Sequence, residues 1–288
     1  MSNGGPRAGV HQEQKQGMAN GHGMPHELDL SKPNAARIFD YFLGGKDNYA
    51  ADREAARRIL RTAPDVPLAA LENRKFLKRA VAFLITATGI RQFVDIGPGL
   101  SAQASVHQLA KRHDPQARVA YIDNDPVVLA HGKSLLRGVP GVTVIDGDLR
   151  DPERLLSDPA LRNLINFAEP VALCLSLVLQ LIPASDEPHA IVARLRDELC
   201  PGSYLVLSHL TGDQDDAGTL AQITSDCGDA TTPLAVRSRA EVTQFFAGFR
   251  LVGPGVVLLS QWQPTADCHA HGGTRRGYAG VGWKAGAE

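Results

Sequence analysis

The strongest constraint on the fold is a short apolar strand that runs through a glycine turn into a helix. Residues 93–96 form the strand, Gly97 and Gly99 form the turn, and Ser101 is suited to begin the helix. Glycine permits a left-handed turn and lets a ligand reach bare backbone, and a helix N-terminus offers unpaired N–H groups. The segment therefore predicts a strand–turn–helix unit with a small-molecule cradle at its turn.

From Gly89 onward, apolar strands alternate with helical segments. We predict strands at 92–96, 118–123, 142–146, 171–177 and 203–208, and helices at about 101–112, 126–137, 159–167 and 186–199. Two last strands, at about 250–260 and 278–284, resemble an antiparallel hairpin at one edge. The alternation predicts an α/β fold whose mostly parallel sheet carries helices on both faces.

Composition narrows the class of protein. The 288 residues carry a formal net charge of −1, so no basic excess is available for a nucleic-acid backbone. The longest apolar run, 171–182, is too short to span a bilayer, and the four cysteines form no CxxC pair. We expect a cytoplasmic protein with no membrane or nucleic-acid partner and no metal site; Cys268, His269 and His271 fit a flexible loop better than a set of metal ligands. The oligomeric state is left open.

Acidic residues follow three successive predicted strands. Asp95 precedes the glycine turn, Asp123 ends the second strand, and Asp148 follows the third. Ligands of α/β sheets bind beyond the carboxyl ends of the strands. An acid after the second strand can accept both ribose hydroxyls, and a side chain after the third can accept the adenine amine. Asp95 would repel a pyrophosphate but suits ammonium and sulfonium groups, so we predict S-adenosylmethionine as the ligand.

Each of these features has a simpler interpretation. The glycines could form only a tight turn, Asp123 could begin the capping segment of a helix, and Asp148 could be a solvated loop acid. The turn also fits a loose dinucleotide pattern, which Asp95 disfavours. The joint arrangement at three strand ends favours the donor site.

Several longer motifs carry a family resemblance. They are residues 33–49, 51–54, 73–77, 121–126, 202–209 and 280–282. The chain resembles the class I S-adenosylmethionine-dependent methyltransferases, and within them a bacterial, largely actinobacterial family of presumed methyltransferases formerly grouped as a domain of unknown function. The resemblance covers nearly everything from about residue 31. It implies a Rossmann-like, seven-stranded sheet with the last strand antiparallel, and S-adenosyl-L-methionine as cofactor.

The resemblance also implies the donor contacts. They are expected at Asp95, Gly97, Gly99, Asp123 and Asp148, and the predicted set also includes Asn124, Leu149 and Ser176.

The N-terminal third is predicted to form a lid. We divide the chain into a disordered tail (1–30), a helical lid (31–90) and a methyltransferase domain (91–288). Helices at 33–43 and 49–62 would cover the donor, with Tyr41 and Asn48 touching it. Pro64 and Pro67 are expected to end the second helix, and a third helix is predicted at about 71–88. The alternative is that these helices only cover apolar surface.

The predicted function is methyl transfer to an unidentified small molecule. A base is optional because the reaction mainly needs alignment and a dry site. The candidates are His209 at the end of the fifth strand and Ser176 and Gln180 after the fourth, although His209 could equally be a structural histidine. The main alternative is a donor-binding regulator without transfer activity, and a third is a nicotinamide-dependent oxidoreductase.

Overall fold

The computed structural model describes residues 29–100, 106–213, 234–263 and 273–286, with the single positions 1, 215, 218, 222 and 225. Most of the predicted tail, the start of the helix after the glycine turn, and Cys268, His269 and His271 lie outside these described residues. Within the described ranges, none of the helices combines the length and apolar character that a bilayer crossing requires.

Nine α-helices can be labelled in the described part of the chain, and 3₁₀ turns span Leu179–Leu181, Ala184–Asp186 and Leu259–Gln261. The α-helices are α1 (Ala35–Phe42), α2 (Ala50–Thr62), α3 (Val66–Thr88), α4 (Val106–His113), α5 (Pro126–Leu135), α6 (Pro152–Ser157), α7 (Pro159–Leu164), α8 (Pro188–Glu198) and α9 (Arg239–Gln244).

The sheet contains eight described strands. They are β1 (Gln92–Ile96), β2 (Arg118–Asp123), β3 (Val142–Asp146), β4 (Ala172–Ser176), β5 (Tyr204–Leu210), β6 (Arg250–Leu251), β7 (Val257–Leu258) and β8 (Gly277–Trp283). Their order is β3-β2-β1-β4-β5-β8-β6, with β7 also paired to β8. Strands β1 to β5 are parallel, and β8 is antiparallel to β5, β6 and β7. The predicted α/β fold with an antiparallel last strand is confirmed.

The eighth strand arises because the predicted strand 250–260 is broken in two. Both pieces pair with β8, at Leu251 opposite Gly282 and at Val257 opposite Ala279. Pro254 between them has no N–H for the ladder, and Gly255 has a φ of +88°. The sheet therefore keeps the expected order of seven strands, and the eighth strand is the second piece of the interrupted strand.

Helix boundaries differ from prediction at prolines. Helix α3 begins at Val66 rather than near residue 71, with Pro67 in its first turn. Helix α6, which sequence patterning missed, also begins with a proline, Pro152, after the capping residue Asp151. Proline is favourable in a first turn, where its missing N–H costs no hydrogen bond. The predicted start of α3 was too late because Pro67 was expected to end the preceding helix, whereas it lies in the first turn of α3.

The sheet has an apolar layer on each face. Val94 and Ile96 of β1 belong to the layer on one face, and Phe93 belongs to the layer on the other face with Phe76 and Val81 of α3. Side chains alternate along a strand, so Asp95 lies on the same face as Phe93. The fold thereby places Asp95 on the side of the sheet that α3 covers.

Candidate functional site

The strand ends meet at one open cleft, as the sequence predicted. Parallel pairing aligns β1, β2 and β3 so that Asp123 is in register with Asp146 and Ile96 with Ile122. The following predicted donor contacts line this cleft: Asp95, Gly97, Gly99, Asp123, Asn124, Asp148, Leu149 and Ser176. The structure thus brings eight of the ten predicted contacts together; Tyr41 and Asn48 lie elsewhere.

The glycine turn is closely packed on one side. Gly97 has a φ of +72°, and a Cβ atom there would lie 2.6 Å from Cγ2 of Val178. Gly99 has a φ of +66°, and its Cβ would lie 3.9 Å from Ala36 of α1. Left-handed backbone and lack of space both require glycine at position 97. The turn therefore presents bare backbone to the cleft.

The Asp123 carboxylate is held by the backbone on either side of it. Its oxygens accept hydrogen bonds from the Asp125 N–H at 3.0 Å and the Gly99 N–H at 3.4 Å. Burial raises the pKa of Asp123 to about 6, and these backbone hydrogen bonds act to lower it. The carboxyl end of β2 thus carries an oriented acceptor that is only partly stabilised in its ionised form.

Asp148 has a different environment. Its carboxylate accepts hydrogen bonds from Arg150 at 3.0 Å and from the Asn124 side-chain amide at 3.1 Å. Burial acts to raise the pKa of Asp148, but the hydrogen bonds from Arg150 and Asn124 outweigh it, so the pKa is lowered. Asp148 is therefore a fixed anion, which links the ends of β2 and β3.

Asp95 is buried and faces Arg74 of α3. Burial raises its pKa to about 7, the positive charge of Arg74 acts to lower it, and the charge of Asp123 acts to raise it further. The Arg74 guanidinium donates to the Pro98 carbonyl at 3.4 Å and lies over the Phe39 ring, 5.6 Å from its centroid. Its buried Nε has no hydrogen-bond partner in the described part of the chain. A cation that the sequence did not single out thus lies in the cleft.

The N-terminal segment reaches the cleft through other residues than those predicted. Ala36 and Phe39 of α1 line it, whereas Tyr41 packs on the apolar cluster that joins α1 to α2. Asn48 is buried and donates to Asp40 at 2.8 Å and to the Gly45 carbonyl at 3.0 Å. Tyr41 and Asn48 therefore hold the N-terminal segment together. Contacts of these two residues with the donor could not be predicted reliably, because an amphipathic pattern does not reveal which helix face meets the sheet.

A buried ion network fastens α1 to the sheet domain. Arg37 donates through Nε to Asp52 at 2.9 Å, and its Nη1 lies 3.6 Å from Asp125. Asp125 caps the start of α5 by accepting from the N–H groups of Val127 and Val128. Arg37, Asp52 and Asp125 are all less than a tenth exposed. The first helix is thus tied to the element that follows Asp123.

The far wall of the cleft carries a neutral polar cluster. The Asn73 amide donates to Ser176 at 3.0 Å and accepts from Ser208 at 2.6 Å. Leu177 has a φ of +52°, an uncommon value for a side chain of its size. Gln180 donates to the Leu177 carbonyl, and its buried Oε1 has no partner in the described residues. This wall can present hydrogen-bonding groups without charge.

His209 is not placed to act as the base. It is fully buried and does not line the cleft; its Nδ1 lies 2.6 Å from the Leu210 carbonyl and its Nε2 lies 2.7 Å from Nη1 of Arg237. Burial lowers its pKa to about 4, and the nearby Arg237 charge acts in the same direction. The hydrogen-bond partners fit a neutral ring that donates from Nδ1. The structural alternative for this histidine is the one the geometry supports.

The cleft residues that escaped sequence reasoning include Phe39, Asn73 and Arg74. All three lie on α-helices, where only packing determines which side chain turns inward. The available signal was the resemblance of segment 73–77 to a family motif, which marks the segment without assigning roles to its residues.

The residues present fit S-adenosylmethionine. A side chain at position 97 would fill the turn, so the cradle is open only because glycine forms it. The carboxylates of the buried Asp95 and the half-buried Asp123 offer charge to a cationic ligand, and a pyrophosphate would be repelled by both.

Comparisons with known proteins identify the family of the chain. Residues 21–285 match the profile of a family described as S-adenosyl methyltransferase. A presumed methyltransferase from Thermobifida fusca YX is 38% identical, with 91% of this chain and 98% of that chain covered and a TM-score of 0.83. A DUF574 family protein from Streptomyces avermitilis MA-4680 is 35% identical, with coverages of 89% and 99% and a TM-score of 0.84. An O-methyltransferase family protein from Burkholderia thailandensis shares the fold alone, at 14% identity, coverages of 90% and 66% and a TM-score of 0.51. No protein of curated function matches the sequence.

Proposed function

The chain belongs to the S-adenosyl methyltransferase family, and from that premise we propose that it methylates a small molecule in the cleft between α1 and the ends of β1 to β4. Methyl transfer from S-adenosylmethionine follows from the family; the nature of the acceptor and the residue roles below are the proposal. The observation that carries it is the convergence of Asp95, Asp123 and the bare turn at Gly97 on one cleft.

We assign the donor contacts by chemistry. Asp123 accepts hydrogen bonds from the ribose hydroxyls, and the Gly97–Gly99 turn lies against the ligand. Asp148 and Leu149 hold the adenine end, with Asn124 beside them. Asp95 and Ser176 serve the methionine end. The support is their shared lining of the cleft.

The protein's part in the reaction is alignment. When bound, S-adenosylmethionine supplies an electrophilic methyl group on a cationic sulfur, which a nucleophile displaces in line. The neutral wall formed by Asn73, Ser176 and Gln180 can hold the nucleophilic group by hydrogen bonds. Phe39 and Leu77 provide apolar surface that keeps water from it.

The cleft favours acceptors that need no strong base. Among its described lining residues, the titratable side chains are aspartates and two arginines: Arg74, Asp95, Asp123, Asp125, Asp148 and Arg150. Asp125 is engaged by Arg37, and Asp148 by Arg150. We therefore propose an acceptor whose nucleophile is already reactive near neutral pH, such as an aromatic amine, a phenol of lowered pKa or a carboxylate.

Calorimetry with S-adenosylmethionine and S-adenosylhomocysteine tests the donor site. Asp123→Ala should lower the affinity for both by about 1.5–3 kcal/mol, because it removes charge-assisted hydrogen bonds to the ribose. Asp146→Ala is the matched control, since Asp146 is the register partner of Asp123 at the same sheet edge but is exposed and lies outside the cleft lining. An equal effect of both substitutions would remove Asp123 from the site.

The remaining partner assignments stay predictions. The formal charge of −1 and the carboxylates of the cleft support a small molecule over a nucleic acid. We also retain the cytoplasmic location as a prediction. Turnover with a panel of small amines, phenols and acids would separate the transferase from a donor-binding regulator, which no observation favours.

A further inference from the structure

We propose that Arg74 and Asp95 together bind the amino-acid end of the donor, with Arg74 pairing to its carboxylate and Asp95 to its ammonium group. The inference rests on the proposed function and extends it to a residue outside the predicted set.

The first step is the state of Arg74. Its guanidinium reaches the cleft from α3, yet in the described residues its one hydrogen bond is the 3.4 Å contact to the Pro98 carbonyl, and its buried Nε is unpaired. A guanidinium has five N–H donors in a planar fork that matches a carboxylate. A cation held in a cleft with most donors unused is suited to an anionic group of a ligand.

The second step is the relation of Arg74 to Asp95. Burial is the larger influence on both groups and lowers the pKa of Arg74 and raises that of Asp95, but each charge acts against this shift of the other and so favours its ionised form. The two side chains nevertheless form no direct ion pair in the part of the chain that the structure describes. An α-amino acid carries a carboxylate and an ammonium group side by side. Its carboxylate can pair with the Arg74 guanidinium while its ammonium group pairs with the Asp95 carboxylate. Asp95 adjoins the glycine turn, so the gap lies beside the donor cradle.

The third step is the cover over this pair. Phe39 of α1 packs its ring on the Arg74 guanidinium, with 5.6 Å from Cζ to the ring centroid. An aromatic ring on one face restricts the guanidinium to binding in its own plane and removes water from that face. The first helix thereby strengthens a pair formed in the cleft.

Two ligands that differ only in the carboxylate test the assignment. Calorimetry should show that the wild-type protein binds S-adenosylmethionine roughly 10- to 100-fold more tightly than decarboxylated S-adenosylmethionine, because only the first pairs with Arg74. Arg74→Met should bind both ligands within about threefold of each other. Lys78→Met is the matched control: it removes a cation from the same helix, but Lys78 is exposed and outside the cleft lining, so the discrimination should persist.

Asp95→Asn separates the two halves of the proposal. Both ligands keep the ammonium group, so this variant should weaken both by a similar factor and preserve the preference for the carboxylate. A wild-type protein that does not discriminate, or an Arg74→Met protein that still does, would overturn the proposal. If Arg74→Met does not fold, the wild-type ratio together with Arg74→Lys, which should lose part of the discrimination, decides it. Binding of neither ligand to the wild-type protein would instead refute the proposed function itself.

Discussion

Asp95 and Asp123 titrate close to neutral pH, with pKa values of about 7 and about 6. Both pKa values are raised because burial favours the protonated form, and only the ionised form attracts the cationic donor. Donor affinity should therefore fall as pH is lowered, by up to roughly tenfold per pH unit for each carboxylate below its own pKa. Arg74 acts against this shift of the Asp95 pKa, and Asp123 acts with it.

Calorimetry between about pH 5.5 and 8 measures this dependence. The Asp95→Asn variant should bind the donor more weakly at high pH. Its affinity should no longer change near pH 7, but it should still change near pH 6, where Asp123 titrates. A wild-type affinity that stays constant over the range would contradict the assignment of these carboxylates to the cationic donor.

Gly97 is required for two reasons that a pair of substitutions can separate. Gly89 has nearly the same φ, +73°, as the +72° of Gly97, but a Cβ there would meet nothing within 4 Å. Gly89→Ala should cost about 1 kcal/mol of unfolding free energy, from backbone strain alone. Gly97→Ala should cost about 1–3 kcal/mol more, because the new methyl group overlaps Val178.

Urea denaturation of both variants measures these costs, and calorimetry with S-adenosylhomocysteine measures the effect on the site. We expect weaker ligand binding for Gly97→Ala and wild-type binding for Gly89→Ala. Equal losses of stability and unchanged binding would show that position 97 needs glycine only for its backbone angle.

At the scale of elements, α1 is held by charge as well as by apolar packing. Asp52 is fully buried and accepts from Arg37 and from the backbone N–H groups of Asn34 and Tyr49. Asp52→Asn should lower the free energy of unfolding by about 3 kcal/mol, because it leaves Arg37 buried with less compensation. Donor affinity should fall as well, since α1 supplies part of the cleft.

Glu54→Gln is the control for this prediction. It alters the exposed Glu54–Arg58 pair on α2, whose acidic side chain is 75% exposed, and should cost at most about 0.5 kcal/mol. Urea unfolding compares the two variants. Similar small losses would mean that apolar contacts alone attach the N-terminal segment.

Helix α3 links the core to the cleft, which bears on the predicted lid. Phe76 and Val81 pack against the sheet, while Asn73 and Arg74 line the cleft. Of the predicted lid segment 31–90, this helix is therefore part of the sheet's own apolar layer. The boundary at residue 90 and the lid itself stay predictions, and α1 is the helix of this segment that lines the cleft without belonging to that layer.

At the scale of the whole molecule, His209 couples stability to acid. Its pKa is lowered to about 4 by burial, below the ordinary 6.5, so protonation opposes the folded state. The stability that the neutral ring contributes is present above about pH 6.5 and is lost as pH falls towards 4. Between pH 7 and 5 the wild-type protein should lose up to about 2 kcal/mol that a His209→Gln variant does not lose.

Urea denaturation at the two pH values measures the difference. The pH profile of turnover should show the same ionisations in His209→Gln as in the wild-type protein, because the ring is buried and does not line the cleft. Disappearance of an ionisation from that profile in the His209→Gln variant would restore the histidine as a base.

Sequence reasoning located the sheet and the strand ends because both follow local rules. Strands β1 to β5 are rich in apolar residues, and the acids at 95, 123 and 148 lie where topology must bring them together. Tyr41 and Asn48 lie outside the cleft, and His209 follows its structural alternative, because tertiary packing decides which way a polar side chain points. Arg74 was missed for the same reason, since one cation on a long helix has no local mark of its role.

The anchorage of α1 determines how molecules exchange with the cleft. Swinging this helix away would separate Arg37 from Asp125, a buried contact that also involves the cap of α5. Such a helix movement is costly. The exposed side chains of Asn124 and Arg150 lie on a side of the cleft that a ligand can reach without moving α1. We expect arrival and departure past the short loops after β2 and β3, so that residence time depends on small local fluctuations there.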